Sequence, residues 1–385
     1  MSKTLVNRLS LAALALPGLM QPAQAERSEE TYNTGFQYGH YEESGDRMKV
    51  DVFELSAAAP IGKAFTASLD LIRDTMSGAS PVFNVRDADG QVRQQISGAS
   101  IVDQRDVVNV GFSYAMESVT LGLTGGVSGE NDYLSRYFGT NLSWDLSKST
   151  TLSASASYAF DDVFPVGRTY RKSKFNQQYL LGVTQVIDKN SLLQSNMTFG
   201  YNQGFLSDPY KQVFVENAVG SSILDDVRPD KKFQWAWLTR YARHFKDLNR
   251  AALHADYRFY VDDWGVVSHM VETSWDQPIA DDWQLTPRFR YYTQYEANFY
   301  SAIFDGATIG RYHSSDYRLA GFGTLGGGIK LSKNFIMSGL IKDIKLQAAF
   351  DYFDRKASYQ LGGNDSGGFD DYSFYMVTAS VNVKF

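Results

Sequence analysis

The sequence predicts an all-β protein: a transmembrane antiparallel β-barrel of about 16 strands, with short periplasmic turns and long extracellular loops. Three observations predict it. An export signal is followed by no apolar helical span, side chains alternate with a period of two, and the last strand ends on a terminal Phe385.

The export signal comes first in the chain. Lys3 and Arg8 make a basic start, "LSLAALALPGLM" (9–20) an apolar core, and "AQA" (23–25) a small-x-small cleavage site. That is the pattern of a secretory signal peptide, too short and wrongly flanked for a membrane span. Residues 1–25 are therefore expected to be removed, leaving 26–385 as a single barrel domain. The absence of Cys excludes a lipid-anchored cysteine, disulfides, thiolate metal sites and thiol catalysis. A net charge of −6 argues against nucleic acid as a partner. No later run of 18 apolar residues marks a membrane helix, yet 24 Tyr and 25 Phe are too many to scatter without purpose.

Alternation then locates the strands. In "TLSASASYAF" (151–160), Leu152, Ala154, Ala156, Tyr158 and Phe160 oppose Ser153, Ser155 and Ser157. In "LLQSNMTFGYN" (192–202), Leu193, Met197, Phe199 and Tyr201 oppose Gln194, Asn196, Thr198 and Asn202. In "DIKLQAAFDY" (343–352), Ile344, Leu346, Phe350 and Tyr352 oppose Lys345, Gln347 and Asp351. Rings placed toward strand ends suit the aromatic girdles of a membrane barrel. The closing "FYMVTASVNVKF" (374–385) puts Tyr375, Val377, Val381, Val383 and Phe385 on one face, Thr378, Ser380, Asn382 and Lys384 on the other. Its ending resembles the signal read by the outer-membrane barrel assembly machinery, which makes that machinery an expected partner through Phe385.

Connections sort by length. Tight turns fall at 59–63, 116–118, 146–149, 188–190, 246–249 and 278–282, with a longer one at 332–340. Ser/Gly/Asp-rich loops fall at 77–105, 162–173, 206–231, 298–314 and 357–370, and short connections near 43–47, 131–133 and 262–264 share their side. Strict alternation of the two classes yields about 16 strands with both termini on the tight-turn side. One strand breaks the pattern. In "KVDVFELS" (49–56) the apolar set switches from Val50 and Val52 to Phe53 and Leu55, and a bulge is expected there.

Parity also places charge. Across 232–297 it sends Arg240, His254, Asp256, Arg258, Glu272, Arg288, Arg290 and Glu296 toward the lumen. Facing lipid near the midplane, an Arg costs about 2–4 kcal/mol, so the inward placement is dictated. Two readings follow from the same residues. They form a selectivity or substrate-binding wall, or an Arg–carboxylate network that fills and stiffens the barrel. A second candidate lies in "LSDPYK" (206–211) and the apolar loop behind it. Asp208, Tyr210, Lys211, Arg228 and Asp230 belong to a loop that either folds inward to constrict the pore or caps the rim.

Other chemistry is weaker. Acid pairs at Asp161–Asp162, Asp225–Asp226, Asp262–Asp263 and Asp370–Asp371 fall on the long-loop side. Clustered carboxylates favour divalent cations, with Asp262 and Asp263 the metal candidates, but Asp is also a common turn residue. His254 and Asp256 share one strand face, compatible with a base and its orienting acid. No Gly-x-Ser-x-Gly elbow or HExxH accompanies them, so no enzyme is expected. Nothing in the chain calls for a cofactor.

Four blocks carry a resemblance: "GFLSDPYK" (204–211), "VRPDKK" (227–232), "YRFYVDDWGVVSHMVE" (257–272) and "PRFRYYTQYEANFY" (287–300), with "FDDVFPVGRTYRK" (160–172) as a weaker fifth. They resemble a family of Gram-negative outer-membrane proteins catalogued as domain of unknown function 3570. The resemblance implies an outer-membrane location and, from the redox and lipoprotein genes beside family members, a role in an envelope redox or export pathway. The leading expectation is a porin-like passage for a small or medium polar solute, anions included. The alternative is a closed barrel anchoring a periplasmic or surface assembly, and a third reading is a barrel enzyme using His254 and Asp256. Membrane lipid and lipopolysaccharide are the expected surroundings.

Overall fold

A computed structural model describes residues 31–45, 47–78, 81–96, 101–363 and 371–385. The proposed signal peptide and Asp370 lie outside the described residues. The chain starts with β1 (Asn33–Glu43), β2 (Lys49–Ile61) and β3 (Phe65–Gly78), then forms a loop hairpin of β4 (Pro81–Arg86) and β5 (Val92–Ile96). Six long strands follow: β6 (Ile101–Ala115), β7 (Val119–Gly129), β8 (Tyr133–Asp145), β9 (Thr150–Val163), β10 (Lys172–Asp188) and β11 (Ser191–Gly204). After the short β12 (Gln212–Glu216) and β13 (Ser221–Asp225) come β14 (Lys231–Phe245), β15 (Ala251–Asp262), β16 (Val267–Ala280) and β17 (Trp283–Gln294). A two-residue β18 (Phe304–Asp305) precedes β19 (Phe322–Ile336), β20 (Asp343–Lys356) and β21 (Tyr372–Lys384).

Sixteen of these strands close into one antiparallel barrel, each pairing with the next long strand and β1 pairing with β21 from Asn33↔Lys384 to Glu43↔Phe374. The alternation explains why the sheet closes. One face of every strand is apolar enough for lipid and the other carries polar groups, so an open sheet would leave an unpaired edge in hydrocarbon. The five extra strands belong to the long loops, as one hairpin and one three-stranded sheet.

The outward face carries the girdle. Phe138, Tyr158, Phe160 and Phe175 form a row of rings across β8, β9 and β10, with Phe160 and Phe175 centroids 4.8 Å apart. At the tight-turn end Phe65 of β3 lies 4.6 Å from Tyr114 of β6.

The bulge expected in β2 is absent. Its register to β1 and to β3 runs unbroken. The physical reason is an apolar patch inside the barrel. Val52 faces inward and packs with Tyr41, Phe353 and Met376, with Val50, Ile72 and Phe374 around them, while Phe53 and Leu55 face outward. Apolar side chains on both faces of one strand mimic a change of period without any irregular backbone.

This interior cluster should carry stability. Met376 is 1% exposed, so Met376→Ala is expected to destabilise the folded barrel by about 2–5 kcal/mol. Urea titration in lipid vesicles would show it as a lower midpoint. An unchanged midpoint would mean that the cluster relaxes around the loss.

Candidate functional site

Strand register assembles the lumen charges into rungs. Arg240 faces Asp256, Asp256 faces Glu272, and Glu272 faces Arg290 across β14, β15, β16 and β17. Arg240 Nε donates to Asp256 Oδ2 at 3.1 Å and Arg290 Nε to Glu272 Oε2 at 2.6 Å. Four of the predicted lumen residues thus form a belt of two ion pairs, with the carboxylates side by side and an arginine at each end.

One rung nearer the tight turns, Arg288 of β17 forms a two-pronged bond with Asp351 of β20 across the intervening β19. Only a glycine there lets them meet. Gly328 is the register partner of both residues, and a Cβ on it would lie 2.1 Å from Asp351 Oδ1. His254 belongs to this level, but its partner is Asp276 of β16 at 3.1 Å, which also accepts from Thr286 at 2.6 Å. The expected His254–Asp256 couple does not form. Arg240 already claims Asp256, and the imidazole reaches diagonally across the hairpin to a carboxylate of its own.

Arg258 is different. One rung nearer the outer end, its register neighbours are Leu238 and Met270, followed by Tyr292 and Thr324. The acids two and four residues away along β15 are taken, Asp256 by Arg240 and Asp262 by Lys232 at 2.9 Å. Among the described residues this half-buried guanidinium has no ion pair or hydrogen bond. Glu296 departs from the patch altogether. β17 ends at Gln294, and Glu296 is exposed on the loop beyond it.

Above the belt, two loops are clamped together by charge. Arg228 Nε binds Asp226 at 2.7 Å and its terminal nitrogen reaches Asp316 at 2.7 Å. Arg318 Nε accompanies both oxygens of Asp316 at 2.9 Å, and Arg318 also binds Asp208. Lys211 is buried, with its ammonium on the Pro81 carbonyl and 5.4 Å from the Tyr317 ring centroid. Three carboxylates and three cations therefore balance in a mostly dehydrated cluster. Burial pushes the Asp316 carboxyl up, but Arg318 and Arg228 outweigh it and hold it well below the usual range. Asp208 is also lowered, burial being overcome by Arg318, Lys211 and Arg228.

The segment that leans on the inner wall comes from the β17–β19 connection. The 3-10 turn Tyr317–Leu319 is gripped by inward-facing side chains. Gln294 donates to the carbonyls of Arg318 and Ala320, and Arg355 to that of Tyr317. The 206–231 loop stacks on it through the β13–β12–β18 sheet, burying Val213 and Val215. Of the predicted constriction residues, Asp208, Lys211 and Arg228 join the clamp. Tyr210 instead binds Asp132 on the rim, and Asp230 is exposed. Sequence reading missed Asp316, Arg318, Tyr317 and Arg355; the loop partners are 88 and 110 residues apart, and no local pattern joins them.

Asp262 is no metal candidate. Its oxygens accept from Trp264 N (3.1 Å), Val266 N (3.0 Å), Tyr260 Oη (2.6 Å) and Lys232, so it anchors the turn. Asp263 accepts from Phe233 N at 3.1 Å. Carboxylates do converge elsewhere, at Asp103, Glu130 and Asp132, whose ligand atoms lie within 4.8 Å of one another. Burial raises the Glu130 carboxyl to about 7.

A profile described as "Protein of unknown function (DUF3570)" matches residues 6–376. The chain belongs to that family. No curated protein sequence matches it. Among solved structures, it is similar to CdiB from Acinetobacter baumannii, with a TM-score of 0.52 and 11% identity over 93% of this chain. It spans 60% of the CdiB chain. OccD3 of Pseudomonas aeruginosa superposes with a TM-score of 0.46 and 11% identity over 97% of both chains. The outer membrane protein opdK of the same organism gives 0.42 and 9% over 92% of this chain and 99% of its own. The likeness is one of fold, that of an outer-membrane barrel.

The clamp sets a pH expectation. A carboxyl with a depressed folded pKa contributes fully above its unfolded value, about 3.9, and loses that contribution as pH falls through the folded value. Through Asp316 and Asp208, amide protection factors over 206–231, taken relative to intrinsic exchange at each pH, should therefore hold from pH 7 to 5 and fall only below about 4. Arg318→Ala should expose the same amides at neutral pH, since breaking a buried pair costs about 3–5 kcal/mol. Unchanged exchange in that variant would show the loops held by something else.

Proposed function

We propose that the barrel provides a passage across the outer membrane for a small or medium polar solute, with anions favoured. The observation that carries this is Arg258. Arg240, Arg288 and Arg290 are each neutralised by a carboxylate at bonding distance, so the belt as a whole has little field to offer. Arg258 stands free of an acid, where a passing anion meets an uncompensated cation, while the neighbouring Tyr260 and Tyr292 give their hydroxyl protons to Asp262 and Gln294. The paired residues then serve as a rigid lining that holds the free one in place.

A second reading is supported by the apolar cluster and the clamped loops at the outer end. A barrel filled there would serve as an anchor for a periplasmic or surface envelope assembly without conducting. In either case we infer delivery by the barrel assembly machinery through the strand ending at Phe385, and surroundings of lipid and lipopolysaccharide.

Planar-bilayer recording separates the two readings. The purified protein should show discrete anion-preferring steps, and Arg258→Glu should move the reversal potential toward cations. Arg240→Gln, at a position already compensated by Asp256, should move it less. No conductance under any voltage would overturn the passage reading and leave the anchor.

A further inference from the structure

Outside the lumen, the long-loop end holds a cleft of about 720 Å³, inside the roughly 300–1,000 Å³ range of small-molecule sites. Its floor is built on a packed cluster of Trp264, Val266, Ala297 and Leu319, with Phe299 and Tyr300 against it. Trp264 meets Phe299 edge-on at 5.2 Å, and its indole N–H is fixed by the Lys231 carbonyl at 2.9 Å. Gly265, at φ +94°, makes the turn beneath Asn298; a Cβ there would lie 2.4 Å from the amide oxygen. The walls are equally fixed. Asn298 N donates to the Trp264 carbonyl (2.8 Å), and Ser301 N and Ser314 N tie the two sides of the loop together at 3.1 Å each. This is a preformed hollow, held by backbone hydrogen bonds.

The lining combines flat apolar surface with unclaimed polar groups. Phe299, Tyr300, Phe304 and Tyr312 present rings, and Ile303 and Ile309 fill between them. Among the described residues, the Asn298 amide, the Arg311 guanidinium and the Tyr312 hydroxyl make no hydrogen bond or ion pair. Asp263 and Asp305 stand at the edge, each with one oxygen engaged by a backbone N–H. Donors and acceptors therefore alternate around the rings.

That chemistry excludes several ligand classes. Two acids against one arginine give no net attraction for a phosphate or other anion. An organic ammonium would seek the face of a ring, but Arg311 already lies 5.1 Å from the Tyr312 centroid and would repel it. A metal ion needs convergent oxygens, and Asp263 and Asp305 do not converge with a third ligand among the described residues. A saccharide satisfies what remains. Its C–H faces stack on aromatic rings, and its vicinal hydroxyls donate to carboxylates and accept from an amide and a guanidinium.

We infer that this cleft binds a saccharide at the outer face of the barrel. The ligand is a short glycan segment, either a free oligosaccharide arriving from outside or the sugar of a neighbouring lipopolysaccharide. The inference does not rest on the passage reading, since the cleft is formed by loops and turns whether or not the lumen conducts.

The test is titration of the full-length protein in a detergent without a sugar headgroup, followed by calorimetry or saturation-transfer NMR. Two probes distinguish the sources: maltotriose for a free neutral oligosaccharide, and delipidated core oligosaccharide for the lipopolysaccharide. Saturable binding of either supports the inference and names the source. Arg311→Ala and Tyr312→Ala should each weaken it about tenfold, the loss that follows from one stacked or bonded group. Both side chains sit on the cleft wall away from the strand ladder, and Lys189→Ala at the tight-turn end serves as the neutral control. No saturable binding of either probe, or binding unchanged by both cleft variants, would overturn the inference. Conductance is not the readout, so this failure and that of the passage reading are separable.

Discussion

Everything in this molecule depends on the demand that no backbone N–H or C=O face hydrocarbon unpaired. Sixteen strands meet that demand only because the first pairs with the last over eleven register positions, Asn33↔Lys384 to Glu43↔Phe374. Closure has a direct consequence for charge. Once the sheet is a cylinder, each strand has one side toward lipid and one toward the interior, and polar residues have a single place to go. The Arg and Asp side chains of β14 to β17 come together for that reason before any attraction between them acts.

Attraction then decides which of them remain available. A charge removed from water is costly unless its partner is in bonding geometry, and the register supplies partners for Arg240, Arg288 and Arg290. Their pairing makes the wall electrically quiet and stiff. Arg258 escapes because its own rung carries Leu238, Met270 and Tyr292. A position with no carboxylate on its level is thus as informative as a cluster of them.

Strand number, turn positions and the inward set from Arg240 to Arg290 were legible in the sequence, because period two is a local property and lipid enforces it. What escaped was the identity of partners. His254 meets Asp276 twenty-two residues away, a distance set by hairpin length and diagonal reach. Arg288 meets Asp351 through a strand of glycine, and "GGG" at 326–328 was the one available clue. In β2 the reverse happened: a local irregularity was read as backbone when it recorded apolar packing inside the cylinder. The loop clamp was beyond reach, since Asp208, Arg228 and Asp316 become neighbours only after both loops have returned over the mouth.

The position of Tyr317 ties these levels together. Its ring lies 5.1 Å from the guanidinium of Arg47, which follows β1, and edge-on to Tyr372, the first residue of β21, at 6.2 Å. Those are the two strands of the closing seam, stitched at the same end by Ser44 N donating to the Ser373 carbonyl at 2.8 Å and Ser373 N to the Ser44 hydroxyl at 3.0 Å. The Arg47 and Tyr372 side of the seat therefore forms only when the C-terminal strand pairs with the N-terminal one, whereas Gln294 and Arg355 hold the turn from β17 and β20. A barrel with that seam unpaired would lack half of the contacts around the Tyr317 ring, so closure of the wall and seating of the loop turn are coupled.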